Sequence, residues 1–344
     1  MLRFDCDYNN GCHPEVMDAL LHTNSEPGGT YGLDAFSEEA RAAIRRACGD
    51  PSADVFFLGG GTQANSTVID ALLKPWQGVV AAESGHIAVH EAGAVEYTGH
   101  KVITLPGHDG KIAAGELESL LAGYRADETF EHMVEPALVY ISFPSEVGTL
   151  YSAAELADIH SICGSYGIKL FVDGARLAYG LEADGNDVSL EYMAARCDAF
   201  YIGGTKCGTL CGEAVVFPRG GAPERFFSCI KQHGALFAKG RLNGVQFGAL
   251  FSDGLYSRIG RHADRLAMRL QEVFRSHGIP VGAPSSTNQQ FFILTNAQKD
   301  VLEKGCMFEK WSPIDSEKAL YRFVTSWSTT DSDIDGLDKL LNGI

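Results

Sequence analysis

The sequence predicts an α/β protein: a doubly wound domain on a mostly parallel sheet, followed by a smaller domain of mixed helices and strands. Three observations predict it. Short apolar runs rich in β-branched and aromatic residues recur as far as Phe217, and amphipathic stretches alternate with them. Pro218-Arg219-Gly220-Gly221 then breaks the pattern ahead of longer helical stretches. With 344 residues, 45% of them hydrophobic, the chain can bury a large core, and that length fits about two domains.

In chain order, strands are expected at residues 55–58, 79–82, 101–105, 137–142, 169–172, 199–202 and 213–217. Runs that are apolar on both faces belong to a sheet covered by helices on both sides. Helices are expected in the amphipathic stretches 63–73, 113–122 and 153–166. After the break, 255–277 reads as a long helix, 290–294 and 321–325 as strands, and 331–341 as a closing helix. The chain is thus expected to divide into a large unit over 1–238, N-terminal segment included, and a small C-terminal α+β unit over 239–344. It has neither internal repeats nor low-complexity tracts.

The formal charge is -16, with 28 Lys and Arg against 44 Asp and Glu. So few cations form no stripe along which phosphates track, which argues against nucleic-acid or anionic-membrane partners and for a small diffusing substrate. The opening Met1-Leu2-Arg3-Phe4-Asp5 has no apolar targeting stretch, and no run approaches the roughly 20 apolar residues of a membrane span. Nine cysteines at irregular spacings suit a reducing compartment better than a disulfide framework. A cytoplasmic protein is the expectation. Cys207 with Cys211, and His86 with His90, find no partner pair at ligand spacing, so no metal site is expected.

In doubly wound domains, ligands sit beyond the carboxyl ends of the strands. Phe171-Val172-Asp173-Gly174-Ala175-Arg176 ends one strand in a carboxylate, with a cation three residues on. Alone, Asp173 reads as the N-cap of the next helix. Phe200-Tyr201-Ile202-Gly203-Gly204-Thr205-Lys206 ends another strand in glycines and a single lysine, which alone reads as a surface residue. Together, a carboxylate and a lysine on one sheet edge meet two requirements of pyridoxal phosphate. The amine bonds its aldehyde, and the carboxylate keeps its pyridine nitrogen protonated. Leu58-Gly59-Gly60-Gly61-Thr62-Gln63-Ala64-Asn65 adds a helix N-terminus behind glycines, an anion site suited to a phosphate, with the Thr62 hydroxyl as a further donor. Glu83-Ser84-Gly85-His86 brings an imidazole to the same edge, either stacked on the cofactor or serving as a satisfied structural histidine.

One competing reading shares these residues. Gly59-x-Gly61-x-x-Ala64, with Glu83 further on, also matches the dinucleotide fingerprint of a nicotinamide-dependent oxidoreductase. It rests on one loop and leaves Asp173 and Lys206 unexplained.

From its N-terminus to beyond Asp331 the chain resembles the threonine aldolase and β-eliminating lyase family. The resemblance lies in Asp7-Tyr8-Asn9-Asn10-Gly11-Cys12-His13-Pro14, Thr30-Tyr31-Gly32, Gly60-Gly61-Thr62-Gln63-Ala64-Asn65, and His86 with Glu91-Ala92-Gly93. It continues in Asp173-Gly174-Ala175-Arg176, Gly203-Gly204-Thr205-Lys206 and Arg322-Phe323-Val324-Thr325-Ser326. It implies the pyridoxal-phosphate-dependent transferase fold, aspartate aminotransferase-like fold type I, with a seven-stranded sheet. It implies cleavage of L-threonine, L-allo-threonine or related β-hydroxy-α-amino acids to glycine and an aldehyde.

By the same resemblance, Lys206 carries the cofactor, Asp173 pairs with the pyridine nitrogen and His86 stacks on the ring. Gly61 and Thr62 hold the phosphate, Gly60, Thr205 and Arg176 also bind the cofactor, and Lys231, with Lys239 or Arg241, reaches a neighbouring subunit's phosphate. Arg176 and Arg322, with Cys6, Asp7 and Tyr31, hold the substrate, Tyr31 across a subunit interface of a homodimer or homotetramer. A bidentate guanidinium on the carboxylate would fix which Cα bond breaks. Two residues depart from the better-known branch: Cys6 where serine is frequent, and Glu146 where a histidine stands near the substrate hydroxyl. The base for the β-hydroxyl is left among Glu146, His86 and an ordered water. A β-eliminating lyase or an aminotransferase would use the same lysine and aspartate with another bond aligned, and a noncatalytic scaffold would need neither.

Overall fold

In the computed structural model, which describes residues 1–343, every apolar run before Pro218 becomes a strand of one sheet. After a short β1 (Leu2–Arg3) come β2 (Asp54–Leu58), β3 (Gln77–Ala82), β4 (Val102–Leu105), β5 (Glu135–Ser142), β6 (Lys169–Asp173), β7 (Ala199–Gly203) and β8 (Glu213–Phe217). The order across the seven-stranded sheet is β2-β8-β7-β6-β5-β3-β4. Every neighbouring pair is parallel except those of β8, which runs antiparallel to both β2 and β7. The link over residues 204–212 is too short for the crossover that a parallel return needs, so the chain must double back.

Side chains alternate between two buried faces. Val80, Val139, Val172, Phe200 and Val216 enter one apolar core, and their neighbours Val79, Leu138, Phe171, Tyr201 and Val215 enter the other. Both faces carry helices, including Gly61–Leu72, Ala114–Ala126 and Ala153–Tyr166. The last has sharp ends: Ser152 and Glu155 form a capping box, and Gly167 closes it at φ 68°. The helices Pro14–Thr23, Ala35–Ala47 and Arg241–Leu250, which the strand alternation does not require, pack on one another beside β2.

The C-terminal region adds β9 (Gln289–Thr295), β10 (Cys306–Met307), β11 (Glu309–Pro313) and β12 (Lys318–Val324), with an antiparallel sheet of order β11-β12-β9. It has its own core, in which Phe274, Phe292, Phe323 and Leu337 meet. Phe4 joins this core and β1 pairs in parallel with β10, so the first residues cross over to the small unit. The helix Leu255–Ser276 belongs to both units. Leu255, Tyr256, Ile259 and Ala263 pack in the large core, and Leu266, Leu270 and Phe274 in the small one. No helix among the described residues is long and apolar enough to cross a membrane.

The topology counts against the dinucleotide reading. That motif needs adjacent parallel strands around the glycine loop. Here the strand before the loop, β2, pairs only with antiparallel β8, and four strands separate it from β3. Glu83, the residue cast as the ribose contact, is exposed at the end of β3.

Candidate active site

The carboxyl ends of the parallel strands open into one cleft of about 900 Å³, counted to its mouth. Gly60, Gly61 and Thr62 line it after β2, His86 after β3, and Glu146 after β5. Asp173 and Arg176 enter from β6, and Thr205 and Lys206 from β7. Nine residues scattered through the sequence thus share one space because a parallel sheet delivers every strand end to one edge.

Asp173 is buried, and its carboxylate accepts four hydrogen bonds: from Tyr140 Oη at 2.6 Å, Tyr201 Oη at 2.5 Å, Asn65 Nδ2 at 2.9 Å and the Ala175 amide at 2.9 Å. Burial alone would raise its pKa. The two tyrosine hydroxyls chiefly overcome that and hold it below the ordinary aspartate value. It does not cap the following helix, Leu177–Glu182, whose N-cap is Arg176. A Cβ on Gly61 would stand 3.1 Å from the Tyr201 hydroxyl, so the absence of a side chain there lets the loop come close to this group.

Lys206 follows a turn held at both ends. Tyr256 Oη donates to the Gly203 carbonyl at 3.0 Å and Tyr179 Oη to the Lys206 carbonyl at 2.6 Å. Burial, and next the charge of Arg176, lower the pKa of its amine. Beside it, burial pushes the Glu213 carboxyl up to about 7 against the pull of the Gly204 amide and the lysine.

His86 is oriented from behind. Its Nδ1 lies 2.7 Å from Glu91 Oε1, which also accepts from Asn65 Nδ2 at 2.7 Å. Against a carboxylate, Nδ1 is the donor of that bond. Asn65 therefore bridges Glu91 and Asp173 through one amide nitrogen. Glu146 Oε1 accepts from Ser142 Oγ at 2.6 Å and from the His86 amide at 2.9 Å. Its pKa is nonetheless raised, burial outweighing both bonds and the charge of Asp173 adding to it.

Other expected residues lie outside the cleft lining. Asp7 is sealed, its oxygens taken by Arg176 Nε at 2.7 Å, Arg176 Nη2 at 3.0 Å and Asn288 Nδ2 at 2.9 Å. The bidentate face of Arg176 is thus turned to Asp7. Arg322 Nη1 donates to Gln289 at 2.9 Å and Nη2 to Glu309, while its buried Nε has no partner among the described residues. Cys6 Sγ lies 3.8 Å from Asp5. Lys231 stands 4.8 Å over the ring of Tyr31, away from its own chain's cleft, and Arg241 donates to the carbonyls of Thr23 and Glu26. The sequence reading gave no role to Tyr140, Tyr201, Glu91, Ser142 or Glu213. Among the described residues, no three His, Cys, Asp or Glu side chains are grouped to hold a metal ion.

The donor set suits pyridoxal phosphate. A carboxylate kept ionised answers a pyridinium, an amine of lowered pKa answers an aldehyde, and the helix Gly61–Leu72, uncapped by any side chain, answers a phosphate with its first amides.

The model of the beta-eliminating lyase family matches residues 8–297. The low specificity L-threonine aldolase of Pseudomonas sp. (strain NCIMB 10558) is 29% identical, covering 96% of this chain and 94% of its own length. That of Pseudomonas aeruginosa is also 29% identical, covering 99% and 96%. A threonine aldolase structure from Leishmania major superposes with a TM-score of 0.96 at 39% identity, covering 100% of this chain and 99% of that one. An aspartate aminotransferase from Thermus thermophilus, at TM-score 0.72 and 13% identity over 100% of this chain and 92% of that one, shares the fold.

Proposed function

The chain belongs to the beta-eliminating lyase family, and from that premise we propose that it is a pyridoxal-phosphate-dependent aldolase. It cleaves L-threonine, L-allo-threonine or related β-hydroxy-α-amino acids to glycine and an aldehyde. The observation that carries this reading is the meeting of Asp173 and Lys206 in one cleft beside an uncapped helix N-terminus. Full-length likeness to threonine aldolases selects the aldolase over an aminotransferase, to which the likeness is one of fold.

When bound, pyridoxal phosphate supplies a sink for the electron pair left on Cα as the Cα–Cβ bond breaks. Lys206, its amine less basic than an exposed lysine, would hold the cofactor at its aldehyde, and Asp173 would keep the ring nitrogen protonated. Gly60, Gly61, Thr62 and Thr205 would hold the phosphate end, and His86, held by Glu91, would cover the ring. Asp7 locks the guanidinium of Arg176, leaving Nη1 for the substrate carboxylate, with Arg322 as the second cation for that group. Glu146 is the base for the β-hydroxyl proton, because its raised pKa makes its carboxylate a better proton acceptor than an exposed one.

Lys231 and Tyr31 serve the site of a second copy in a homodimer or homotetramer, in keeping with their position outside their own chain's cleft. Nine unpaired cysteines are in keeping with work in the cytoplasm. The test is product analysis. Loaded protein given L-threonine should release glycine and acetaldehyde in equal amounts, whereas a keto acid with ammonia would overturn the aldolase reading. Borohydride reduction and peptide mapping should find the cofactor on Lys206.

A further inference from the structure

Glu213 opens β8, the strand that lies between β2 and β7. It is the register partner of Leu58 on one side and of Gly203 on the other. Leu58 leads into the glycine loop, and Gly203 into the turn that presents Lys206. The buried Glu213 side chain therefore lines the cleft between the two loops, and its Oε2 accepts the Gly204 amide at 2.9 Å. No Lys, Arg or His among the described residues forms a salt bridge with it.

Its titratable surroundings come from four elements. Lys206, Cys207 and Cys211 lie on the turn, Asp173 on β6, Tyr201 on β7 and Tyr256 on the helix Leu255–Ser276. Lys206 is the one cation in that set. An acceptor for the Gly204 amide needs no charge, so a purely structural role would be met equally by glutamine.

We propose that Glu213 is a positioning residue for Lys206: its carboxyl fixes the turn that presents the lysine, and its negative charge holds the lysine amine as the ammonium. This rests on the reading of Lys206 as the cofactor-bearing lysine. Burial pushes the Glu213 carboxyl up to about 7, so its charge arrives as the pH rises through neutrality and then opposes loss of the lysine's proton. Burial and Arg176 press the lysine the other way, while Asp7 and Asp173 help hold its proton. The balance sets how much free amine meets an incoming aldehyde.

The test uses cofactor-free protein and acetic anhydride, with the acetylation rate at Lys206 followed by peptide mass spectrometry across neutral and alkaline pH. In the natural protein the logarithm of the rate should climb with less than unit slope through neutrality, because each step in pH also ionises Glu213. Glu213→Gln keeps the acceptor and loses the charge. It should show unit slope and faster acetylation on the alkaline side, on the order of three- to tenfold for a pKa drop of about half to one unit. Glu213→Asp should restore the shallow climb. Superimposable profiles for the natural protein and Glu213→Gln would overturn the proposal. Should Glu213→Gln not fold, a simple one-proton profile in the natural protein overturns it equally. Borohydride trapping on loaded protein separates the two readings. A trap away from Lys206 sinks the cofactor assignment, whereas a trap on Lys206 with unchanged acetylation sinks the role of Glu213 alone.

Discussion

Tyr201 donates to Asp173 at 2.5 Å and stands where any side chain on Gly61 would press. Tyr201→Phe removes a donor to a buried charge, a loss of about 1.5–3 kcal/mol. Pyridoxal phosphate should then bind roughly tenfold or more weakly, as absorbance titration would measure, while folding stays intact. Glu146→Gln should behave differently, lowering kcat about 100-fold or more with cofactor affinity unchanged. In the natural enzyme, kcat should fall as acidification through the raised Glu146 pKa protonates the base, and that limb of the pH profile should vanish in the variant. At this scale the motif residues Asp173, Lys206 and His86 were legible in the sequence, since each ends a strand or follows one. The tyrosines were not. In sequence Tyr140 and Tyr201 are ordinary aromatic strand fillers, and their hydroxyls converge only because β5, β6 and β7 lie side by side.

The long helix Leu255–Ser276 carries an uncompensated acid. Asp264 is 5% exposed, and neither of its oxygens has a hydrogen-bond partner among the described residues. Burial, with the charges of Glu182 and Asp184 adding to it, raises its pKa well above the ordinary aspartate value of 3.8 against a weaker pull from the nearby Asn288 amide. As pH climbs past that value the unfolded chain releases a proton that the folded chain keeps, so this residue lowers stability toward neutrality. Asp264→Asn should therefore stabilise the protein by about 1–3 kcal/mol at neutral pH and by little in acid, as urea unfolding at the two conditions would show. The helix itself, like Ala153–Tyr166, was legible from its pattern of apolar residues. The direction of β8 is not a property of its own residues, which suit a strand of either sense. It follows from the short link 204–212, and with it the meaning of the glycine loop changes from dinucleotide motif to anion site.

At the scale of the whole molecule, the seven strands could be read from alternation, but strand order could not, because pairing partners lie far apart in the chain. The placement of β1 beside β10 shows the same thing. If Lys231 serves a second copy's site, the inactive variants Lys206→Ala and Lys231→Ala should complement each other. Mixed by joint refolding, they should regain roughly a quarter of natural activity for a randomly paired dimer, read as acetaldehyde release. No recovery would confine each site to one chain. The helix Leu255–Ser276 has its early turns in one core and its later turns in the other. Parting the two cores would strand half of a stiff rod in water, so they are expected to melt together, as a single transition in calorimetry.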